Sequence, residues 1–158
     1  MKSSPWFGFW GRLFIGVIFA YAGFSKLTEP VENFRGMIAE YQVIPYHWVP
    51  AVAHVLPWLE FVGGVFLILG YAIPFSSLVL VFLSLGFLLV LGASNVLFDS
   101  ASKTCGCFGQ NGPVQLTVWQ VFCLDLINLA LGLKIFVMKR TPLALDNYFF
   151  PPVKPVKK

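Results

Sequence analysis

Apolar residues occur in four long, almost uninterrupted runs, and this pattern predicts four helices that cross a membrane. The runs cover approximately residues 6–26, 50–70, 74–98 and 114–137. Each is long enough to span a hydrocarbon layer about 30 Å thick. Strands of a membrane β-barrel would alternate apolar and polar residues in segments of about ten, whereas these runs are apolar on every face. We therefore predict an all-α membrane protein built as a four-transmembrane-helix bundle, in which each helix satisfies its own backbone hydrogen bonds.

A shorter pattern lies between the first two runs. Val31, Phe34, Met37, Ile38 and Tyr41 fall on one side of a helix, and the charged residues of this segment fall elsewhere. This spacing predicts a short amphipathic helix over residues 31–41. We expect it to lie flat on the outer membrane surface.

Composition leaves no room for a soluble domain. The chain has 158 residues, of which 58% are apolar and 11% charged, and its mean hydropathy is +0.78. These values exclude a disordered chain and a nucleic-acid-binding protein with a basic folded face. We predict a single membrane domain over residues 1–140 and a cytoplasmic tail over residues 141–158, whose prolines and lysines suit contact with anionic lipid.

The basic residues predict the orientation of the bundle. One side would hold eight of the eleven Lys and Arg residues: Lys2, Arg12, Lys134, Lys139, Arg140, Lys154, Lys157 and Lys158. The two longer loops hold Lys26, Arg35 and Lys103 together with four acidic residues. Because basic residues concentrate in cytoplasmic segments, we predict that both termini are cytoplasmic and both long loops extracytoplasmic.

The first run has two interpretations. A basic start and the small-x-small triplet at residues 20–22 are typical of a cleaved secretory signal. The run also carries a helix face whose members recur every three or four positions, namely Arg12, Gly16, Ala20, Gly23 and Lys26. The small residues of this face allow close approach of another helix, which a cleaved signal does not need. We favour a permanent span.

The cysteines give the strongest chemical indication. Cys105 and Cys107 lie one residue apart in a glycine-containing loop on the predicted outer side, where disulfides persist. A turn between them brings the pair within disulfide range in a small, strained ring, and strain makes a disulfide more exchangeable. We favour dithiol–disulfide exchange as their role. Structural pairing and metal binding remain alternatives, although two sulfurs with no nearby ligand fall short of a zinc set. We interpret Cys123, within the fourth run, as a small buried apolar residue.

Three ionisable residues lie within the predicted spans, where such residues are costly. Counted at 1.5 Å per residue from the span ends, Arg12, Glu60 and Asp125 reach similar depths. We predict an intramembrane polar network in which the guanidinium serves both carboxylates. Such a network is either structural or takes up protons released in redox turnover.

Two further residues are candidates for supporting roles. Lys26 ends the face of the first span, where it would either favour a nearby thiolate or extend to the membrane interface. His54 precedes Pro57, whose kink would shape a pocket beneath the cysteine loop; the alternative is that His54 is a surface residue.

These residues together resemble a known family. The spacing Arg12-x3-Gly16-x2-Phe19-x3-Gly23-x2-Lys26, the run Glu60-x3-Gly64-x2-Leu67-x2-Gly70 and the block Cys105-Gly-Cys107-Phe-Gly109 are similar to those of DoxX-like redox-associated membrane proteins, most closely the methylamine-utilisation branch, MauE. The likeness covers the chain from residue 12 to about 137. It implies a small four-helix protein of the bacterial inner membrane that makes or transports disulfides during maturation of a periplasmic dehydrogenase subunit, beside a thioredoxin-like partner.

Two functions from different classes follow. In the first, Cys105 and Cys107 exchange electrons with a periplasmic thioredoxin-like or disulfide-containing protein, and a quinone near His54, Trp58 and Glu60 carries the two electrons in the membrane. In the second, the chain is a non-catalytic assembly factor or small-molecule conduit with a static disulfide. A related branch, DoxD, implies a further alternative, a subunit of a thiosulfate:quinone oxidoreductase. We predict neither a metal site nor a nucleic-acid partner.

Overall fold

A computed structural model of the chain describes residues 5–41, 43–98, 105, 108, 115–137 and 145. Within these ranges the chain forms five α-helices: α1 (Pro5–Thr28), α2 (Val31–Glu40), α3 (Val49–Leu69), α4 (Ile73–Phe98) and α5 (Val118–Val137). A 3₁₀ turn, Tyr46–Trp48, leads into α3. Four of the helices, all except α2, are long and apolar enough to cross a membrane. The predicted all-α bundle with four spans is confirmed.

The spanning helices form a ring in which neighbouring helices run antiparallel. α1 packs on α3 and α5, and α4 packs on the same two helices from the other side. The outward surface is apolar, since Phe14, Phe82, Leu89 and Trp119 are each exposed over about half of their surface or more. Exposed apolar area of this extent suits contact with lipid. The chain is a multi-pass membrane protein.

The closest helix contact joins the backbones of α1 and α3. A Cβ atom built on Gly64 would lie 2.5 Å from the Ala20 nitrogen and 2.7 Å from the Gly16 oxygen. One built on Gly23 would lie 2.5 Å from the Phe61 nitrogen. Glycine is therefore required for the two backbones to touch. The predicted close-packing face of the first span is confirmed, and this packing is what a permanent span needs.

A glycine also ends α3. Gly70 has φ 70° and ψ 35°, a left-handed conformation that glycine adopts at low cost. The N–H of Tyr71 donates to the carbonyl of Phe66 at 2.9 Å, and the N–H of Gly70 donates to that of Leu67 at 3.2 Å. This pair of bonds satisfies carbonyls at the helix end and reverses the chain into α4.

The amphipathic helix forms as the spacing predicts, but its apolar side meets protein. Phe34, Met37 and Ile38 are buried against Val49 and Ala53 at the start of α3. Its apolar side therefore packs on α3, and its position at the outer membrane surface stays a prediction. The start of α3 extends beyond the end of α1, and α2 covers the apolar surface left there.

The fourth span begins later than predicted, at Val118 rather than at residue 114. The N–H of Thr117 donates to Oε1 of Gln120 at 3.0 Å, and the N–H of Gln120 donates to Oγ1 of Thr117 at 3.4 Å. This reciprocal capping fixes the helix start. The Thr-x-x-Gln signature was present in the sequence within the apolar run. Of the predicted tail, residues 141–158, only Leu145 is among the described residues, so the tail stays a prediction.

We predict that Gly64→Ala lowers the thermal stability of the detergent-purified protein, because the new methyl group meets backbone atoms of α1 that cannot move aside. The protein is heated to a series of temperatures and then run on a size-exclusion column. The measurement is the temperature at which half of the monodisperse peak is lost. Gly36→Ala is the matched control, since a Cβ atom there has nothing within 4 Å and alanine is the better helix former. Equal midpoints for the two variants would contradict the backbone contact.

Candidate functional site

Cys105 lies buried beside the start of α5. Its side chain is 1% exposed, and its sulfur is part of a disulfide bond. Its backbone N–H donates to the carbonyl of Leu116 at 2.9 Å. This bond joins residues 105–108, which we call the cysteine segment, to the residues that lead into α5. Cys107 lies outside the described residues, so the pairing of Cys105 with Cys107 stays a prediction.

Tyr41 holds Cys105 from the side of α2. Its hydroxyl donates to the carbonyl oxygen of Cys105 at 3.1 Å and lies 3.6 Å from the sulfur. Burial, with a smaller contribution from the charge of Glu40, raises the pKa of Tyr41 to about 12. The phenol therefore keeps its proton at neutral pH and acts as a donor toward the cysteine. This role was not predicted from the sequence, where the spacing places Tyr41 on the apolar side of the amphipathic helix.

Phe108 fastens the same segment to α1. Its carbonyl accepts a hydrogen bond from the hydroxyl of Ser25, and its ring lies 6.1 Å from that of Tyr21. Cys105 and Phe108 share one apolar cluster with Ala22 and Val121. The two described residues of the cysteine segment are thus part of the packed end of the bundle.

An ion pair between Lys26 and Glu60 lies inside the bundle beneath this segment. The ammonium is 2.7 Å from each carboxylate oxygen, and the side chains are 2% and 1% exposed. The rings of Phe34 and Phe87 lie 5.2 Å and 5.1 Å from the ammonium, within the range of cation–π attraction. Lys26 therefore pairs with Glu60. It neither contacts the cysteine nor extends to the membrane interface, which were the two roles predicted for it.

Two polar residues of α5 face the same place. Asp125 and Asn128 are 5% and 2% exposed, and with Lys26, Glu60 and Phe108 they line a small cavity of about 20 Å³. We call Lys26, Glu60, Asp125 and Asn128 the buried polar cluster.

Arg12 does not provide the cation of this cluster. It precedes Lys26 by fourteen residues on one continuous helix, which is about 21 Å at 1.5 Å per residue. Its side chain is 1% exposed, and its guanidinium lies 5.5 Å from the ring of Phe9. The two predicted carboxylates line the same cavity, and the cation that pairs with Glu60 is Lys26. The depth count failed because Gly23, five residues before the end of α1, lies beside Pro57 and Phe61 of α3, which leaves Lys26 inside the bundle.

The remaining candidates lie on outward surfaces. His54 is exposed on α3, and Trp58 is 57% exposed, whereas Glu60 on the same helix is 1% exposed. These three residues do not face one space, so they do not form the predicted quinone site. Cys123 is a free cysteine and is exposed, which corrects its interpretation as a buried residue. Among the described residues, no group of three or more His, Cys, Asp or Glu side chains is close enough to hold a metal ion.

Comparison with known proteins identifies the family. A family model described as methylamine utilisation protein MauE matches residues 4–138. The chain belongs to the MauE family. The match covers all four spans, the buried polar cluster and the cysteine segment, so it confirms the MauE branch of the predicted resemblance. The wider DoxX-like relationship stays a prediction.

Individual MauE proteins agree with this assignment. The methylamine utilization protein MauE of Paracoccus denitrificans is 35% identical over 125 residues, which are 78% of this chain and 65% of that protein. That of Paracoccus versutus is 32% identical over 125 residues, which are 77% of this chain and 64% of that protein. The chain thus spans a little under two thirds of the length of these relatives. No solved structure matches the chain.

We predict that Lys26→Met destabilises this MauE-family protein by about 3–5 kcal/mol, because it leaves the carboxylate of Glu60 buried without its cation. The double variant Lys26→Met/Glu60→Gln recovers part of the loss, since it removes the charge that needs a partner. The measurement is the denaturation midpoint in detergent. Lys134→Met is the control, as that ammonium lies over the ring of Phe7 on an exposed face. A Lys26→Met midpoint as high as that of Lys134→Met would contradict the ion pair's role.

Proposed function

We propose that the protein exchanges its disulfide with a partner protein outside the cytoplasm, as a step in the maturation of a protein of methylamine utilisation. The observation that carries this proposal is the disulfide at Cys105, which the bundle holds beside the protonated hydroxyl of Tyr41. Membership of the MauE family supports the pathway, since the relatives are named for methylamine utilisation. The proposed pair is Cys105 with Cys107.

The burial of Cys105 suggests the order of the exchange. Its side chain is 1% exposed, so a partner protein attacks the other sulfur, which we assign to Cys107. A partner thiolate forms a bond to the Cys107 sulfur, the Cys105–Cys107 bond breaks, and Cys105 leaves as a thiolate. The hydroxyl of Tyr41, 3.6 Å from that sulfur, is a donor suited to the developing negative charge. A second partner thiolate then attacks the mixed disulfide, releases Cys107 and leaves the partner oxidised.

One observation favours a second function, a static disulfide in a non-catalytic assembly factor. Cys105 is part of an apolar cluster with Leu91 and Phe108, as a structural cysteine would be. The reduction potential separates the two functions, because structural disulfides usually lie below about −300 mV and exchanging ones above it. We expect a value above this limit.

The cysteine variants test the order of attack. We predict that Cys105→Ser accumulates a mixed disulfide, because the Cys107 thiolate attacks the disulfide of the oxidised partner, which is the reverse of the proposed exchange, and no Cys105 thiol remains to release that partner. Cys107→Ser accumulates none, since its remaining thiol is enclosed. The measurement is acid-quenched, non-reducing gel electrophoresis followed by identification of the trapped protein. Cys123→Ser is the control, and we expect it to behave as wild type.

The reverse pattern, with trapping in Cys107→Ser alone, would show that Cys105 is the attacked sulfur. Trapping in neither variant, together with a potential below about −300 mV, would favour the static disulfide.

The distribution of basic residues supports the proposed orientation in the membrane, and the burial of two of them makes the asymmetry larger. Arg12 and Lys26 lie inside the bundle and do not face either side of the membrane. Without them, seven basic residues lie on the proposed cytoplasmic side and two, Arg35 and Lys103, on the other. The positive-inside rule therefore supports cytoplasmic termini and an extracytoplasmic cysteine segment in a bacterial inner membrane.

Labelling in intact cells tests this orientation. We predict that a maleimide unable to cross the membrane labels the reduced Cys123→Ser variant from outside, because the cysteine segment faces that side. A matched variant without native cysteines but with Lys158→Cys is labelled only after lysis. Labelling of Lys158→Cys in intact cells, with protection of the native pair, would reverse the orientation.

A further inference from the structure

A second cavity lies between α2, α3 and α4, and its walls are apolar. Its volume is about 190 Å³. Among the described residues that line it, Tyr41 alone has a polar side-chain group, and that hydroxyl already donates to the carbonyl oxygen of Cys105. The side chains of these walls therefore leave no hydrogen-bond donor for a ligand. We call this space the apolar cavity, and it has no part in the exchange chemistry proposed above.

The shape of the apolar cavity follows from the packing of three helices. α2 packs on the start of α3 and makes few contacts with α4, which leaves a gap between them. The lining positions of α4 form one stripe along that helix, at residues 82, 83, 86, 87, 90 and 91. The stripe extends over about 14 Å at 1.5 Å per residue. The apolar cavity is therefore a groove that runs along the spanning direction of α4.

One side of the apolar cavity opens on the lipid-facing surface. Phe82 is 65% exposed and Gly86 is exposed, and both lie in the part of α4 that is apolar enough to span the membrane. A Cβ atom built on Gly86 has nothing within 4 Å, so this point of the wall is open space. The apolar cavity is therefore continuous with the surface that contacts the bilayer, and the molecules next to its opening are lipids.

The length and position of the apolar cavity match one leaflet of a bilayer. The hydrocarbon layer is about 30 Å thick, so the acyl chains of one leaflet fill about 15 Å of it. The lining of the apolar cavity runs from Phe82, near the middle of α4, to Leu91. Leu91 also packs in the cluster that contains Cys105. The groove therefore extends from the middle of the span to the end of the bundle that carries the cysteine segment.

A hydrocarbon chain is the ligand that these walls favour. The atoms that line an unfilled apolar space lack dispersion contacts on one side, and a chain restores those contacts. Water does not suit the space, because a buried water needs two or more polar partners. An apolar cavity of about 150 Å³ already holds a molecule such as benzene. The apolar cavity, at about 190 Å³, has room for several carbons of a chain whose remainder lies along the open side.

We propose that the apolar cavity binds one acyl chain of a phospholipid from the leaflet on the side of the cysteine segment. The chain lies along α4 against Phe82 and Phe87, and the head group stays at the membrane surface. The chain also contacts Tyr41 and Leu91, which pack in the cluster of Cys105. Lipid therefore completes the packing around the disulfide. This inference does not depend on exchange of the disulfide with a partner.

The first test measures the lipid that the purified full chain retains in digitonin, a detergent with a rigid steroid group and no alkyl chain. The probe, 1-palmitoyl-2-oleoyl-phosphatidylglycerol, is added, its excess is washed away, and the bound lipid is extracted and quantified. We expect one phospholipid per chain, at least fivefold less in Gly86→Leu, and a smaller loss in Gly86→Ala. Gly36→Leu is the matched control and retains the lipid, because position 36 is equally open but lies outside the apolar cavity.

A second measurement locates the bound chain in the wild-type protein. The digitonin complex is formed with a phosphatidylglycerol that carries a photoreactive diazirine near the middle of one acyl chain. After illumination, mass spectrometry of peptides identifies the labelled residues. We expect labelling of Leu56 and Phe87, which line the apolar cavity, and little labelling of Leu126, which is 47% exposed on α5.

Four outcomes would overturn the inference. They are retention of no phospholipid by the wild-type protein, equal retention in Gly86→Leu and Gly36→Leu, labelling of Leu126 as strong as that of Phe87, and preferential retention of an isoprenoid lipid from the host membrane. None of these measurements requires a partner protein or a reduced cysteine. Failure of the proposed exchange therefore leaves them unaffected.

Discussion

The backbone contact between α1 and α3 sets the positions on which the site depends. Glycines at positions 16, 23 and 64 let the two helices approach until main-chain atoms touch. This contact places Gly23 of α1 beside Pro57 and Phe61 of α3. Lys26 then meets Glu60 within the bundle, and Ser25 meets the carbonyl of Phe108. A larger side chain at any of these glycines would separate the helices and move both polar contacts.

The buried polar cluster is costly and therefore informative. Removing an ammonium and a carboxylate from water carries a penalty of several kcal/mol per ion, which close contact and further polar partners offset. Lys26 bonds both oxygens of Glu60 and lies near two aromatic rings, so its charge is well compensated. Asp125 and Asn128 add a second carboxylate and an amide beside the same small cavity. Apolar residues would fill this space at lower cost, so a purely packing role does not explain the cluster.

Much of the fold could be predicted from the sequence, because hydropathy and periodicity report directly on lipid and protein contact. The four spans, the amphipathic helix and the glycine face of α1 followed from these patterns. The ion-pair partner of Glu60 could not be predicted from these patterns. Depth counted from the ends of the spans assumes that all spans begin at the same level in the membrane. Gly23 of α1 lies beside Pro57 and Phe61 of α3, so the two spans are not level, and depth counting therefore assigned Lys26 to the interface and Arg12 to Glu60. His54 and Trp58 were grouped with Glu60 by proximity along α3, although helix geometry turns them outward.

The hydrogen bond from Ser25 to Phe108 joins residues that are 83 positions apart in the chain. Lys26, the residue after Ser25, bonds Glu60 on α3. A single turn of α1 therefore positions both the cysteine segment and the buried charges. The distance between the cysteine segment and the ion pair is therefore set by one turn of α1. It does not depend on the length of chain between residues 26 and 108. Sequence drift in the connecting loops can then be large without altering the distance between the two centres.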